Sequence, residues 1–193
     1  MTSRPEDVAA ELRRDIDTIR ANKTLSTEAK KARIAQAYIA AKGEQQQRLA
    51  AITTEKATRK RTLERRLFSA PTPGPDGEAS YRQALDRAAQ ATTEAERAAL
   101  LERAELVGDE PLARAVAFVA FAHAEQAVVN LWLDTRPSLD GAANELWQAS
   151  HGASAATGDA AWHLHYGIDP PAEFDGAGDF TISQIAQQEE ANA

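Results

Sequence analysis

His163 and His165, with His151, Asp159 and Asp169 near them in the chain, are the residues whose types and spacing come closest to a metal site. A working site needs three or four imidazole or carboxylate ligands converging on one point. Two histidines separated by a single residue leave a helix on different faces, and no H-E-x-x-H or carboxylate-bridged sequence accompanies them. The expectation is that they pack around Trp162 and Tyr166, with no metal and no other cofactor. His123 and Glu125 do not share a helix face either, and His123 reads as a hydrogen-bonded core residue. The glycines lie in Pro-rich or Asp-rich segments rather than in a phosphate-cradling turn between strand and helix, and no G-x-S-x-G elbow is present. The chain therefore reads as a non-enzymatic protein.

The remaining chemistry is electrostatic. Lys56, Arg59, Lys60, Arg61, Arg65 and Arg66 crowd into one helical run, KATRKRTLERR, against Glu64 alone. Three readings of that run stand together: a solvated helix end whose cations suit the C-terminal dipole, a contact for an acidic protein surface, and a nucleic-acid patch. No aromatic residue interleaves with the basic ones, which counts against stacking on single strands. Near the other end, Phe180, Ile182 and Ile185 form an apolar set that can dock on this chain or on a neighbour.

The elements that carry these residues follow from periodicity. The 193 residues are 43% hydrophobic but only 6% aromatic. Alanine supplies much of the apolar content and β-branched residues are scattered, so the fold class expected is all-α: a long N-terminal helical hairpin or arm followed by a compact C-terminal helical bundle. Absence of cysteine excludes disulfides and thiolate metal sites. The opening MTSRPEDVAAELRR has no apolar core of a signal peptide, and no stretch has the length and apolarity of a membrane span, so no membrane partner is expected.

Four segments are expected. Residues 1–68 form a basic helical hairpin or arm. Ser3 caps a first helix with the stripe Val8, Leu12, Ile16 and Ile19; Asn22-Lys23-Thr24 makes the turn; a second helix runs from about Thr27 to Phe68, with Gln45, Gln46 and Gln47 interrupting its stripe. Residues 69–79 are a Pro/Gly linker. Residues 80–171 form the acidic bundle: a short helix around Tyr81 and Leu85; a helix opened by the Thr93/Glu96 capping box, with Ala95, Ala99, Leu100, Arg103 and Leu106 leading to a Gly108 cap; and a central helix over Leu112–Leu133, capped by Asp109. A further helix carries Leu139, Ala143, Leu146 and Trp147 to Gly152, and Asp159 caps a short turn through Trp162 and Tyr166. Residues 172–193 are a flexible tail with a weak terminal helix. Net charge is −7, but residues 1–68 carry +7 and residues 69–193 carry −14. That division suggests different partners for the two halves, or head-to-tail association of like chains.

Two stretches, NKTLSTEAKKARIAQAYIAAKGEQQQRLA and YRQALDRAAQATTEAERAALLERAELVGDEPLARAVAFVAFAHAEQAVVNLWLDTRPS, resemble small helical proteins encoded among the virion structural genes of tailed phages that infect actinobacteria. The resemblance rests on helix order, so no residue roles carry over. It implies a virion component at the capsid or head–tail connector, made in the host cytoplasm, whose partners are capsid, portal or connector proteins and copies of itself. Two alternatives remain open: a nucleic-acid-binding or regulatory protein using the basic helix 56–66, and a scaffolding or assembly factor.

Overall fold

The computed structural model describes residues 5–152 and 166–190, and all regular structure among them is helical. Eight α-helices follow in order: α1 (Pro5–Ala21), α2 (Thr27–Phe68), α3 (Pro75–Gln90), α4 (Glu94–Val107), α5 (Glu110–Ala122), α6 (Gln126–Leu133), α7 (Asp140–His151) and α8 (Asp179–Glu190). Single 3₁₀ turns, Pro137–Leu139 and Ala172–Phe174, precede α7 and α8. The expected Ser3 cap and the turn through Trp162 fall outside the described residues.

The chain divides into two compact units, one made of residues 1–56 and 159–193, the other of residues 57–158. The expected boundaries at 68 and 171 are thus corrected. The first fails because the last turns of α2 belong to the second unit's core, where Leu63, Leu67 and Phe68 are buried. The second fails because the acidic tail returns to the hairpin.

In the first unit, Leu12 and Ile16 of α1 meet Ile34, Ala35 and Tyr38 of α2. The turn between them holds through Asn22, whose Oδ1 accepts from Thr24 N at 2.9 Å, and Ser26 Oγ accepts from Ala29 N to open α2. Phe174, Ile182 and Ala186 complete this core, with Ile182 wholly buried. Full burial of an isoleucine contributes about 1.5–3 kcal/mol, so the segment expected to be flexible is a structural member of the unit. Polar contacts follow the apolar ones. Arg20 donates to both carboxylate oxygens of Glu173 at 2.8 and 2.9 Å, Lys42 pairs with Asp179, and Gln36 Nε2 donates to the Ala186 carbonyl at 3.0 Å. Gln45 does not interrupt the stripe of α2 as expected. It is 4% exposed and donates to the Tyr166 carbonyl at 2.8 Å.

The second unit is organised around α5. Ala115, Val116, Ala117 and Ala120 are fully buried there, and α5 packs chiefly on α3 and α4. The single helix expected over Leu112–Leu133 is corrected to two, because the chain turns at His123, Ala124 and Glu125. Ala124 takes the left-handed conformation (φ 58°), its N–H donates to Phe121 O at 3.0 Å, and Glu125 N–H donates to Ala120 O at 2.9 Å. This is the Schellman arrangement, with alanine where glycine is usual. The α4–α5 junction repeats it with Gly108 (φ 70°) and Asp109 N–H donating to Ala104 O at 2.9 Å. Asp109 then caps α5 as expected, accepting from Leu112 N at 3.1 Å, and the Thr93/Glu96 capping box opens α4.

The buried stripe of α4 is Arg97, Leu101 and Ala104. Ala95, Ala99, Arg103 and Leu106 of the same helix are exposed. The phase is set by Arg97, 4% exposed, whose Nε donates to Glu125 Oε2 at 2.6 Å while Nη2 pairs with the other oxygen and Nη1 reaches the Ala91 carbonyl. Glu125 is therefore unavailable to cap α6 through its side chain. Tyr81 ties α3 to the end of α2, donating to the Phe68 carbonyl at 2.7 Å; burial pushes its phenol up to about 12 despite the opposing charge of Arg114.

Candidate interaction surfaces

The basic end of α2 is partly consumed within its own unit. Arg59 donates to both oxygens of Glu145 at 2.6 Å, and Arg66 reaches the Ser138 carbonyl at 3.5 Å. Lys60 is half-buried, Arg61 and Arg65 are exposed, and Lys56 belongs to the other unit. Six cations expected on one surface are therefore shared out.

The charge division changes in the same way. By folded unit, residues 1–56 with 159–193 hold eleven Lys and Arg against fifteen Asp and Glu, a net of −4; residues 57–158 hold eleven against fourteen, a net of −3. The +7 and −14 halves of the linear chain do not exist as folded bodies. The acidic tail offsets the hairpin, and the basic helix end offsets the bundle, so the head-to-tail argument loses its electrostatic ground.

Of the candidate metal ligands, Asp159, His163 and His165 lie outside the described residues, as does Trp162. His151 is in the second unit, its ring tilted against those of Trp147 and Phe121 with centroids 4.7 and 4.9 Å away, and its Nε2 lies 2.9 Å from the Phe121 carbonyl oxygen. Asp169 is in the first unit, where it lines a recess of about 370 Å³ beside Arg13, Asp17 and Arg20 of α1. No group of three or more possible metal ligands occurs among the described residues. His123 is exposed, not in the core, because the turn at Ala124 carries it to the surface. No described helix is long and apolar enough to cross a membrane.

The apolar tail set divides as well. Ile182 is buried, Ile185 packs at the edge of the hairpin core, and Phe180 is 76% exposed, so Phe174 and Ala186 fill the places expected of Phe180.

Two surface features went unread in the sequence. Leu106 and Val107, consecutive at the end of α4, are 86% and 70% exposed. The buried face of α4 runs through Arg97, Leu101 and Ala104, which leaves Leu106 outside. The second feature is a groove of about 650 Å³ between α4 and α6, lined by Ala95, Ala98, Ala127, Val128 and Leu131, with Thr93 and Glu94 at one end. Three of its lining residues are alanines, whose small side chains bring the two backbones close to solvent. The signal in the sequence was the spacing of Ala95 and Ala98, which on a half-buried helix reads as core packing. Compared with protein families, with curated proteins and with solved structures, the chain has no significant match.

Proposed function

We propose that the protein is a non-enzymatic structural component that acts through protein–protein contacts, and that it is a tailed-phage virion protein of the capsid or the head–tail connector. The observation that carries the contact role is the exposed pair Leu106–Val107. Two adjacent large aliphatic side chains held outward by a capped helix end are unusual on a surface that stays in water, and such exposure marks contact sites when it is contiguous with other apolar surface. Leu106 and Val107 adjoin one another, and a further apolar groove opens between α4 and α6 of the same unit. The virion assignment is supported by the resemblance in helix order to actinophage structural proteins.

The test has two arms. The purified chain is sized by light scattering beside Leu106→Lys, and virions are examined by mass spectrometry for the protein. The expected results are a self-assembly or partner-bound species that Leu106→Lys weakens, and a stoichiometric protein signal in the particles. A monomeric chain together with particles that lack it would overturn the proposal. Presence only in immature particles would select an assembly factor instead.

A further inference from the structure

We propose that the groove between α4 and α6 receives an amphipathic helix of a different protein, one that presents an apolar stripe flanked by lysine or arginine. This rests on the reading that the protein works through protein contacts, and it specifies the partner's chemistry.

The shape argument comes from helix geometry. Ala98, Glu102 and Leu106 stand at i, i+4 and i+8 on α4, so they form one ridge, and Ala98 already lines the groove. The groove is lined by Ala95, Ala98, Ala127 and Leu131, and the α4 ridge that starts at Ala98 carries Glu102 and then exposed Leu106 beyond the lining. From Ala95 to Leu106 the ridge extends roughly 16 Å at about 1.5 Å per residue, the length of three helical turns. Small residues at the floor allow a helix to approach to the short end of the usual interaxial range, about 8 Å.

The charge argument fixes the flanks. Glu94 lies at the mouth, Glu102 is on the ridge, and Asp134 follows Leu131 by three residues. All three are exposed, and none forms a salt bridge among the described residues. The nearby cations are otherwise directed: Arg97 is buried against Glu125, Arg136 is held by Glu105 and Glu110, and Arg103 stands on the outer face of α4. The groove thus has an apolar floor and an acidic rim, the complement of a basic amphipathic helix.

A second copy of this chain does not supply that helix from its described residues. The basic run of α2 has its apolar residues Leu63 and Leu67 buried in its own core, and the stripes of α1 and α8 are buried through Leu12, Ile16 and Ile182. The occupant is therefore another protein.

The probe is a fluorescein-labelled Leu/Lys peptide of about four helical turns, with leucines at helical i, i+3, i+4 and i+7 spacing, titrated by anisotropy against the full-length chain at low and high salt. A Leu/Glu peptide of the same spacing is the control. Saturable one-to-one binding is expected, weakened about tenfold by Ala127→Trp, which fills the groove from an exposed position, and by combined Glu94→Gln, Glu102→Gln and Asp134→Asn. Hydrogen-exchange protection should fall on residues 94–106 and 126–134. Equal affinity for the acidic peptide, unchanged binding by both variants, or protection elsewhere would overturn the proposal. So would a wild-type dimer that Ala127→Trp dissociates, which would make the occupant a second copy. Absence of the protein from virions with this binding intact would reject the virion assignment alone.

Discussion

Breaking the ion pair between Arg97 and Glu125 offers the sharpest test of how the second unit is held. The Arg97 side chain is 4% exposed and that of Glu125 13%, and their contact is bidentate. Removing one member of such a pair strands the other charge and costs about 3–5 kcal/mol. Glu125 retains a path to water, so Arg97→Met belongs at the lower end, about 3 kcal/mol; Arg97 has almost none, so Glu125→Met belongs nearer 4 kcal/mol. The double variant should cost less than the sum by about 2–3 kcal/mol, because no buried charge is left without a partner. Urea unfolding at neutral pH, followed by fluorescence of Trp132 in the same core, reads all four corners of the cycle. Singles that cost under about 1 kcal/mol, or that add within about 0.5 kcal/mol, would refute the claim that this pair sets the phase of α4.

Three further outcomes follow from the same structure. Ile182→Ala should destabilise the first unit by about 2–5 kcal/mol and expose α1 and α2 to limited proteolysis, whereas Phe180→Ala should leave the cleavage pattern unchanged; equal patterns would mean that the tail does not support the hairpin. Ala124→Gly should stabilise by roughly 0.5–1 kcal/mol, since the left-handed conformation costs alanine about 1–2 kcal/mol and glycine returns part of that as chain entropy; a lower melting temperature would contradict this. Hydrogen bonds from Arg97 and Arg20 hold the Glu125 and Glu173 carboxyls below their ordinary value of 4.5. Stability from these groups is complete above that value and is lost as pH falls through the depressed folded values, so the denaturation midpoint should stay level from neutrality to about pH 5 and drop below about pH 4.5; a fall that begins near neutrality would require another group.

Side chains that carry their own local signal made the helix ends legible. Thr93 with Glu96, Gly108 and Asp109 each act within four residues, so their types and spacing are enough to locate the ends of α4 and the start of α5. Ala124 performs the same backbone task as Gly108 with a residue that favours helix, so the break between α5 and α6 left no mark. Arg97 was equally hidden, because its partner lies 28 residues away and arginine on a helix normally signals solvent. The tail's apolar spacing was readable, but its target was not, and counting charge along the chain failed where the chain returns on itself. The same limit applies to the surfaces: Ala95 and Ala98 line the groove from α4, and their exposure depends on where Arg97 points.

The return of α8 to the hairpin also orders events during synthesis. The apolar faces of α1 and α2 leave the ribosome before the segment that covers them, since Ile182 follows Tyr38 by roughly 140 residues. At about 5–20 residues per second, that interval is about 7–28 s. Residues 57–158 are made within it, and the hairpin still waits for its cover when they are complete. The hairpin is made well before the segment that covers it, and it is where a chaperone or an early partner has time to act.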